Sequence, residues 1–474
     1  MTRPRGQDPA DGSSSGLRRA IRLPHATALV VGTIIGASIF VQPSEITGQV
    51  PSVTGVFLVW FLSGALTLCG ALVCAELSST FSRTGGVYVY LNEAFSPAVG
   101  FLWGWAMFWV MHSGIIAAIA IVFARYVGFF ISLGDLGTKA VAVVVILALS
   151  AVNYLGVRHG ARLQALFTYG KLLVIALIIV VGFALGAGIS EGLGSGVAAT
   201  GGVGPADLAG GAPDAATGTS LTLAGFIAAM VAGLFAYGGW HMVTYSSEET
   251  VSPRTTIPRA LLLGTVIVTL VYIGMNAVYL YVLPLETVAS STRVAADFAD
   301  AVLGFGGGAV MSGLVIFSTL GALSGIILAG PRVYYAMSGD GLLFPSAGRI
   351  HPRFRTPGRA IALQAMWASV LVASGTYREL FSRVVYTEWL FFGLLAIGLI
   401  RLRRRSDLER GYSIWGYPVV PIVFALSSFF IVVNHVAANA RDAAYGLSLV
   451  LLGLPVYFLW ASKRARRRRA PEEA

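Results

Sequence analysis

Charge is what this chain has least of. Only 12% of its residues are Asp, Glu, Lys or Arg, against about 25% in an ordinary soluble domain. A water-facing surface cannot be clothed from so few, which excludes a soluble globular protein. Cysteine is scarcer still, with 2 residues, Cys69 and Cys74. They fall on one predicted helix, so a rise of about 1.5 Å per residue sets their Cα atoms roughly 7–8 Å apart. That is too far to bridge without distortion, and both read as small packing residues. There is no His-Glu-x-x-His and no pair of intramembrane aspartates, and the Gly-Asp-Gly at 339–341 falls in a predicted cytoplasmic loop. Nothing therefore pairs a nucleophile with a base or assembles ligands for a metal. An enzyme is not expected, nor is a cofactor. A cleavable signal peptide is also missing, because the first apolar stretch is too long for an h-region and runs into a two-part span.

Apolar residues fill the space that charge leaves. They make up 56% of the chain, and the mean hydropathy is +0.76. Length and hydropathy predict an all-α membrane protein with about twelve spans of roughly 20 residues, at 25–48, 53–79, 99–131, 138–155, 161–188, 221–249, 259–284, 308–337, 359–375, 385–402, 417–436 and 443–461. Residues 1–21 form a polar, disordered cytoplasmic segment, 22–462 one transmembrane domain, and 463–474 a basic tail. The Gly-rich stretch 189–220 divides a first repeat, about 25–188, from a second, about 221–402, with the last two spans at about 417–461 outside the repeat.

The net charge of +11 is a topology signal and gives no reason to expect a nucleic-acid partner. With the N-terminus inside, the cytoplasmic segments hold 26 of the 33 lysines and arginines and the opposite side 5, while Arg125 and Lys171 lie within spans. Excess Lys and Arg marks cytoplasmic loops, so both termini are expected in the cytoplasm of a multi-pass protein of the cell (plasma or inner) membrane. The run Arg466 to Arg469 could also touch anionic lipid.

Two spans are interrupted by glycine. The first reads Gly32-Thr-Ile-Ile-Gly36-Ala-Ser-Ile-Phe40 and the second Gly233-Leu-Phe-Ala-Tyr-Gly-Gly239-Trp240. Gly32-x-x-x-Gly36 is by itself also a helix-packing pattern. A small polar residue and Pro43 follow it, however, and Gly238 lies 202 residues beyond Gly36, close to the 196-residue offset of the predicted halves. Broken helices in corresponding places point to a transporter's substrate site, since freed backbone at membrane depth must be buried or line a polar cavity. Each break exposes helix ends carrying about half a charge of either sign. A zwitterionic amino acid matches them. Its carboxylate would go to the N–H groups of Ala37, Ser38 and Ile39, and its ammonium to carbonyls from Gly32 to Ile35 and from Phe235 to Gly238. The expected substrate-binding residues are Ile35, Gly36, Ala37, Ser38, Ile39, Phe235, Ala236, Gly238 and Trp240, with Phe235 a lid.

Lys171 is one of three lysines. If its span starts near 161 it lies about 15 Å deep, half of a roughly 30 Å hydrocarbon core. A lysine there is a functional residue by default, a structural ion pair being the competing reading. Carbonyls of the first break are its expected partners, because no acid is predicted at equal depth. His112 and His241 sit in the middle third of their spans and read as neutral, hydrogen-bonded histidines. Arg125, near an outer span end, can snorkel. Glu76, Glu248 and Glu249 lie at cytoplasmic span ends near Arg83, Arg254 and Arg259 and read as inner-gate or topology charges.

With Ala75-Glu76-Leu77, Gly85-Gly-Val-Tyr88, Gly100-Phe-Leu-Trp-Gly-Trp105, Tyr169-Gly-Lys171, Glu248-Glu249, Pro331-Arg-Val-Tyr-Tyr335 and Gly453-Leu-Pro-Val-Tyr-Phe458 added to the two breaks, the chain resembles the amino acid–polyamine–organocation superfamily, and within it the L-type amino-acid transporters. The resemblance covers roughly 22–462. It implies the leucine-transporter fold, with a five-plus-five inverted repeat, broken helices 1 and 6, and alternating access. It further implies that Lys171 replaces a sodium ion of distant relatives, that transport is sodium-independent, and that Phe235 and Trp389 are the gating aromatics. The chain departs from the family in reading Gly36-Ala37-Ser38 for the usual Gly-Ser-Gly, and in placing His241 where L-type members often have asparagine. Between spans three and four, residues 132–140 lack the cysteine by which animal members attach a heavy chain, so no disulfide-linked partner is expected. The expectation is a sodium-independent exchanger or facilitator of amino acids, neutral ones first. A proton-coupled amino-acid or polyamine symporter, titrating Lys171, His112 or His241, is the alternative, and a non-transporting amino-acid sensor a more distant one.

Overall fold

The computed structural model describes residues 21–36, 38–155, 167–186, 222–304, 306–352, 354, 356–375, 377–438 and 440–469. Among them there are helices and no strands, apart from an isolated bridge between Ile21 and Thr250. Among the described residues ten helices are long and apolar enough to cross a membrane, and two shorter apolar ones, Leu23–Ile34 and Gly358–Ser374, bring the number to the twelve expected.

Span one is two helices, α1 (Leu23–Ile34) and α2 (Gln42–Gln49), joined through a short 3₁₀ turn at Ser38–Phe40. Each helix has a proline in its first turn, where a missing N–H costs nothing. Span two is α3 (Val53–Thr80), started by the Ser52 hydroxyl accepting from Gly55 N at 3.1 Å, the expected N-cap bond. After the short α4 (Val87–Ala94) comes span three, α5 (Pro97–Val127), which winds through a π-helical turn at Met107–Met111. Spans four and five are α6 (Asp135–Leu155) and α7 (Phe167–Gly186). The expected fifth-span start near 161, the loop 189–220 and most of the N-terminal segment lie outside the described residues.

Span six is again divided, into α8 (Leu223–Ala236) and a 3₁₀ run at Trp240–Glu249. Span seven is α9 (Pro253–Val282), and two short helices, α10 (Leu285–Ser290) and α11 (Val294–Leu303), lead to span eight, α12 (Gly307–Gly339). Spans nine to eleven are α13 (Gly358–Ser374), α14 (Tyr377–Leu402) and α15 (Val419–Ala438). The last is formed by α16 (Ala440–Leu451) and α17 (Gly453–Arg469), so helix runs on into the basic tail.

The tenth span differs most from its expected bounds. It begins at Tyr377, eight residues before 385, because Arg378, Glu379 and Arg383 depress the local hydropathy without breaking the helix.

The packing carries the repeat. Span two lies on span seven, three on eight and four on nine, while the broken spans one and six meet at their breaks. Partners are thus five spans apart, as an inverted repeat requires, and the arrangement is that of the leucine-transporter fold. Span three is the inner scaffold, with 83% of its apolar window buried, whereas spans four and twelve bury 22% and present Leu, Val and Phe outward.

Candidate substrate site

The first break begins where α1 ends. Ile35 leaves the helical region at φ −73°, ψ 86°, and the 3₁₀ turn resumes at Ser38. Carbonyls of one helix end therefore face the first N–H groups of the next, groups that lack partners within their own helix. Lys171 Nζ donates to the Ile35 carbonyl oxygen at 3.1 Å, and the side chain is buried. The expected tie between span five and the first break is thus present in the geometry.

The second break follows Ala236. Gly239 has φ +98°, a left-handed conformation that glycine adopts without steric cost, and a Cβ there would stand 3.0 Å from the Thr33 carbonyl oxygen. Two side chains fasten the breaks together. The Thr33 hydroxyl bonds within its own helix to Leu29 O at 2.8 Å and reaches Gly239 O at 3.2 Å. Tyr272, on span seven, places its hydroxyl 3.0 Å from Ile34 O and 2.9 Å from Ala236 O.

Between the breaks is a cavity of about 20 Å³, room for one water molecule or two. It is lined by Thr33, Ile34, Gly36 and Ser38 of span one, and by Phe235, Gly238, Gly239 and Met242 of span six. Ile115 and Ile119 of span three, Ile326 of span eight and Glu388 of span ten close it. Of the expected site residues, Gly36, Ser38, Phe235 and Gly238 line this cavity. Ile35 holds Lys171 from behind the wall, and Ile39 and Ala236 are buried beside it. Trp240 packs on Phe392 and His241 instead, and Trp389 on Phe392 and Phe424. Ala37 lies outside the described residues.

The expectation that no acid reaches the depth of Lys171 is corrected. With span ten starting at Tyr377, Glu388 is eleven residues into its helix, about 16 Å at 1.5 Å per residue. It is 6% exposed and lines the cavity. Thr33, Tyr272 and Glu388 are what the sequence reading missed. A correct span-ten boundary would have raised Glu388, whereas no local signal marks Tyr272 as the clasp of two breaks.

His112 places Nε2 2.7 Å from Ile326 O. His241 is ringed by Trp103, Trp240, Tyr245 and Phe392, and its Nδ1 has no hydrogen-bond partner among the described residues, contrary to the expectation of a satisfied histidine.

The charges at span ends on the side where span one begins find partners other than their sequence neighbours. Glu76 receives Arg403 through Nε at 2.7 Å and Nη2 at 2.5 Å, and Ile414 N at 2.7 Å. Arg332 grips Glu249 bidentately, its Nη2 3.0 and 3.1 Å from the two carboxylate oxygens. Glu248 accepts from Thr84 N at 3.2 Å. Ile21 pairs in strand fashion, N to Glu249 O at 3.0 Å and O from Val251 N at 2.9 Å, so the start of span one is buttoned to the end of span six. On the opposite side, a polar hollow of about 270 Å³ borders α2, lined among others by Ser44, Glu45, Arg125 and Ser291.

A chain of twelve spans with two clasped helix breaks is a membrane permease in architecture, and comparison with known proteins agrees. The amino acid permease family model matches residues 21–457. The chain belongs to that family, within the amino acid–polyamine–organocation superfamily. It is 31% identical to the serine/threonine exchanger SteT of Bacillus subtilis, over 95% of this chain and 99% of that one. It is 31% identical to the human b(0,+)-type amino acid transporter 1, over 95% and 91%, and 30% identical to the rat large neutral amino acids transporter small subunit 2, over 97% and 84%.

Proposed function

We propose that this protein carries amino acids across the cell membrane without sodium, by exchange or facilitated diffusion, through alternating access. The observation that carries the reading is the Lys171 Nζ bond to Ile35 O. A tethered cation occupies the carbonyl end of the first break, so no inorganic cation is needed to hold that end in place. The ammonium and carboxylate of a substrate would take the remaining carbonyls and the N–H groups from Ala37 to Ile39. Span one and the start of the second repeat would move against the scaffold of spans three and eight, with Phe235 as the lid. Similarity to a serine/threonine exchanger and to a large neutral amino acids transporter supports exchange and a neutral substrate. Both termini are assigned to the cytoplasm, with no disulfide-linked heavy chain, since Cys69 and Cys74 both lie within α3.

Reconstitution into liposomes with labelled amino acids tests this. Uptake is expected to be unchanged when choline replaces sodium, and to rise when unlabelled amino acid is loaded inside. Strict sodium dependence overturns the reading, as does the absence of uptake for every amino acid. An imposed pH gradient that drives accumulation would assign proton coupling in place of exchange.

A further inference from the structure

Glu388 is a carboxyl group in an otherwise uncharged wall. It is more than nine-tenths buried and lines the cavity between the breaks, and no described residue pairs with it or donates a hydrogen bond to it. The Tyr245 hydroxyl, within electrostatic range of Glu388, donates to Met107 Sδ at 3.6 Å. Thr33 spends its hydroxyl on backbone carbonyls. Of the other side chains that line the cavity, Ile34, Ile115, Ile119, Ile326, Met242 and Phe235 cannot donate, and the Ser38 hydroxyl makes no hydrogen bond to Glu388.

Burying a carboxyl group without a partner is costly, and a donor that enters the cavity relieves the cost. The substrate's own ammonium does not need this acid, because backbone carbonyls of the two breaks already offer it acceptors. What remains unmatched is the side chain. We propose that Glu388 is a specificity-determining residue that selects amino acids whose side chain carries an N–H or O–H donor, a hydroxyl or an ammonium group, over apolar ones of the same shape. This rests on the amino-acid reading of the site and narrows it.

The test compares isosteric pairs on the purified full chain, by competition against whichever labelled amino acid is taken up. Threonine is set against valine, and ornithine against norleucine. A hydrogen bond to a carboxylate predicts that at least one donor of a pair binds about tenfold tighter or more than its apolar counterpart. Glu388→Met is expected to erase or invert that ratio, while apolar binding survives. Glu388→Gln, which keeps an acceptor but no charge, is expected to spare a threonine preference and abolish an ornithine one, separating hydroxyl from ammonium. A wild-type protein that binds valine and norleucine as tightly as their partners overturns the proposal, and so does a preference that persists in Glu388→Met. The wild-type ratio decides even if the methionine variant fails to fold. If no amino acid competes or is taken up, the transport reading falls first, a result distinct from competition without selectivity.

Discussion

Tyr272 has one hydroxyl proton and two carbonyl oxygens within reach, one from each broken helix. Ile34 O also accepts from Gly36 N at 2.8 Å, so removing the hydroxyl takes a donor from the Ala236 carbonyl and undoes the tie between the two breaks. Tyr272→Phe is therefore expected to destabilise the protein by about 1–3 kcal/mol, measured by denaturant unfolding in lipid–detergent micelles. An unchanged midpoint would mean that the Ala236 carbonyl is satisfied elsewhere. Lys171→Met keeps the length of the stem and deletes the bond to Ile35 O, and uptake is expected to fall about tenfold or more with normal membrane insertion. Arg403 is a purely structural counterpart. Glu76 is 1% exposed, so Arg403→Ala leaves a buried charge without its bidentate partner and is expected to cost about 3–5 kcal/mol, again read by unfolding.

Elements explain which parts of the site were legible in sequence. The breaks were, because glycine pairs interrupt a long apolar run and nothing else in the chain repeats them at a matching offset. Lys171 was, because a charge deep in such a run has few explanations. Glu388 was hidden by its own helix: three charged residues near Tyr377 made the span look shorter than it is, and moved the acid to an apparent membrane edge. Thr33 and Tyr272 were illegible for a different reason. Their bonds close over 206 and 238 residues, and hydroxyls on apolar helices ordinarily bond back within the same helix, as Thr33 also does. The span-end charges were visible but their pairing was not, since partners such as Glu76 and Arg403 lie 327 residues apart. The second break can be tested as an element. Gly239→Ala imposes a side chain on a left-handed backbone, at a cost of about 1–2 kcal/mol, and presses it on the Thr33 carbonyl. Uptake is expected to drop sharply with the protein still in the membrane, and wild-type uptake would remove the need for this backbone shape.

At the scale of the whole molecule, the structure is closed on the side where span one begins. The Ile21 backbone pairing and the Arg332–Glu249 grip hold the ends of spans one, six and eight together, and the central cavity is too small to contain an amino acid. Opening on that side must break these contacts, so Arg332→Ala is expected to shift the population toward the state that is open there. With Cys69 and Cys74 replaced by alanine, a Ser38→Cys probe should then react faster with a thiol reagent applied from that side than it does with Arg332 intact. Equal rates would show that the grip is not part of the gate.

The bond from Lys171 to Ile35 O has an electrical consequence. A sodium ion that entered with its substrate would cross the bilayer and gain about 2.3 kcal/mol for each 100 mV of membrane potential. A lysine fixed to span five never completes that crossing. If transport is uncoupled from ions, as proposed, a zwitterion travels without regard to voltage and is concentrated only at the expense of another solute leaving. A cationic amino acid held by Glu388 would instead bring its own charge into the field. The current that accompanies uptake thus reports which cargo the protein was built for.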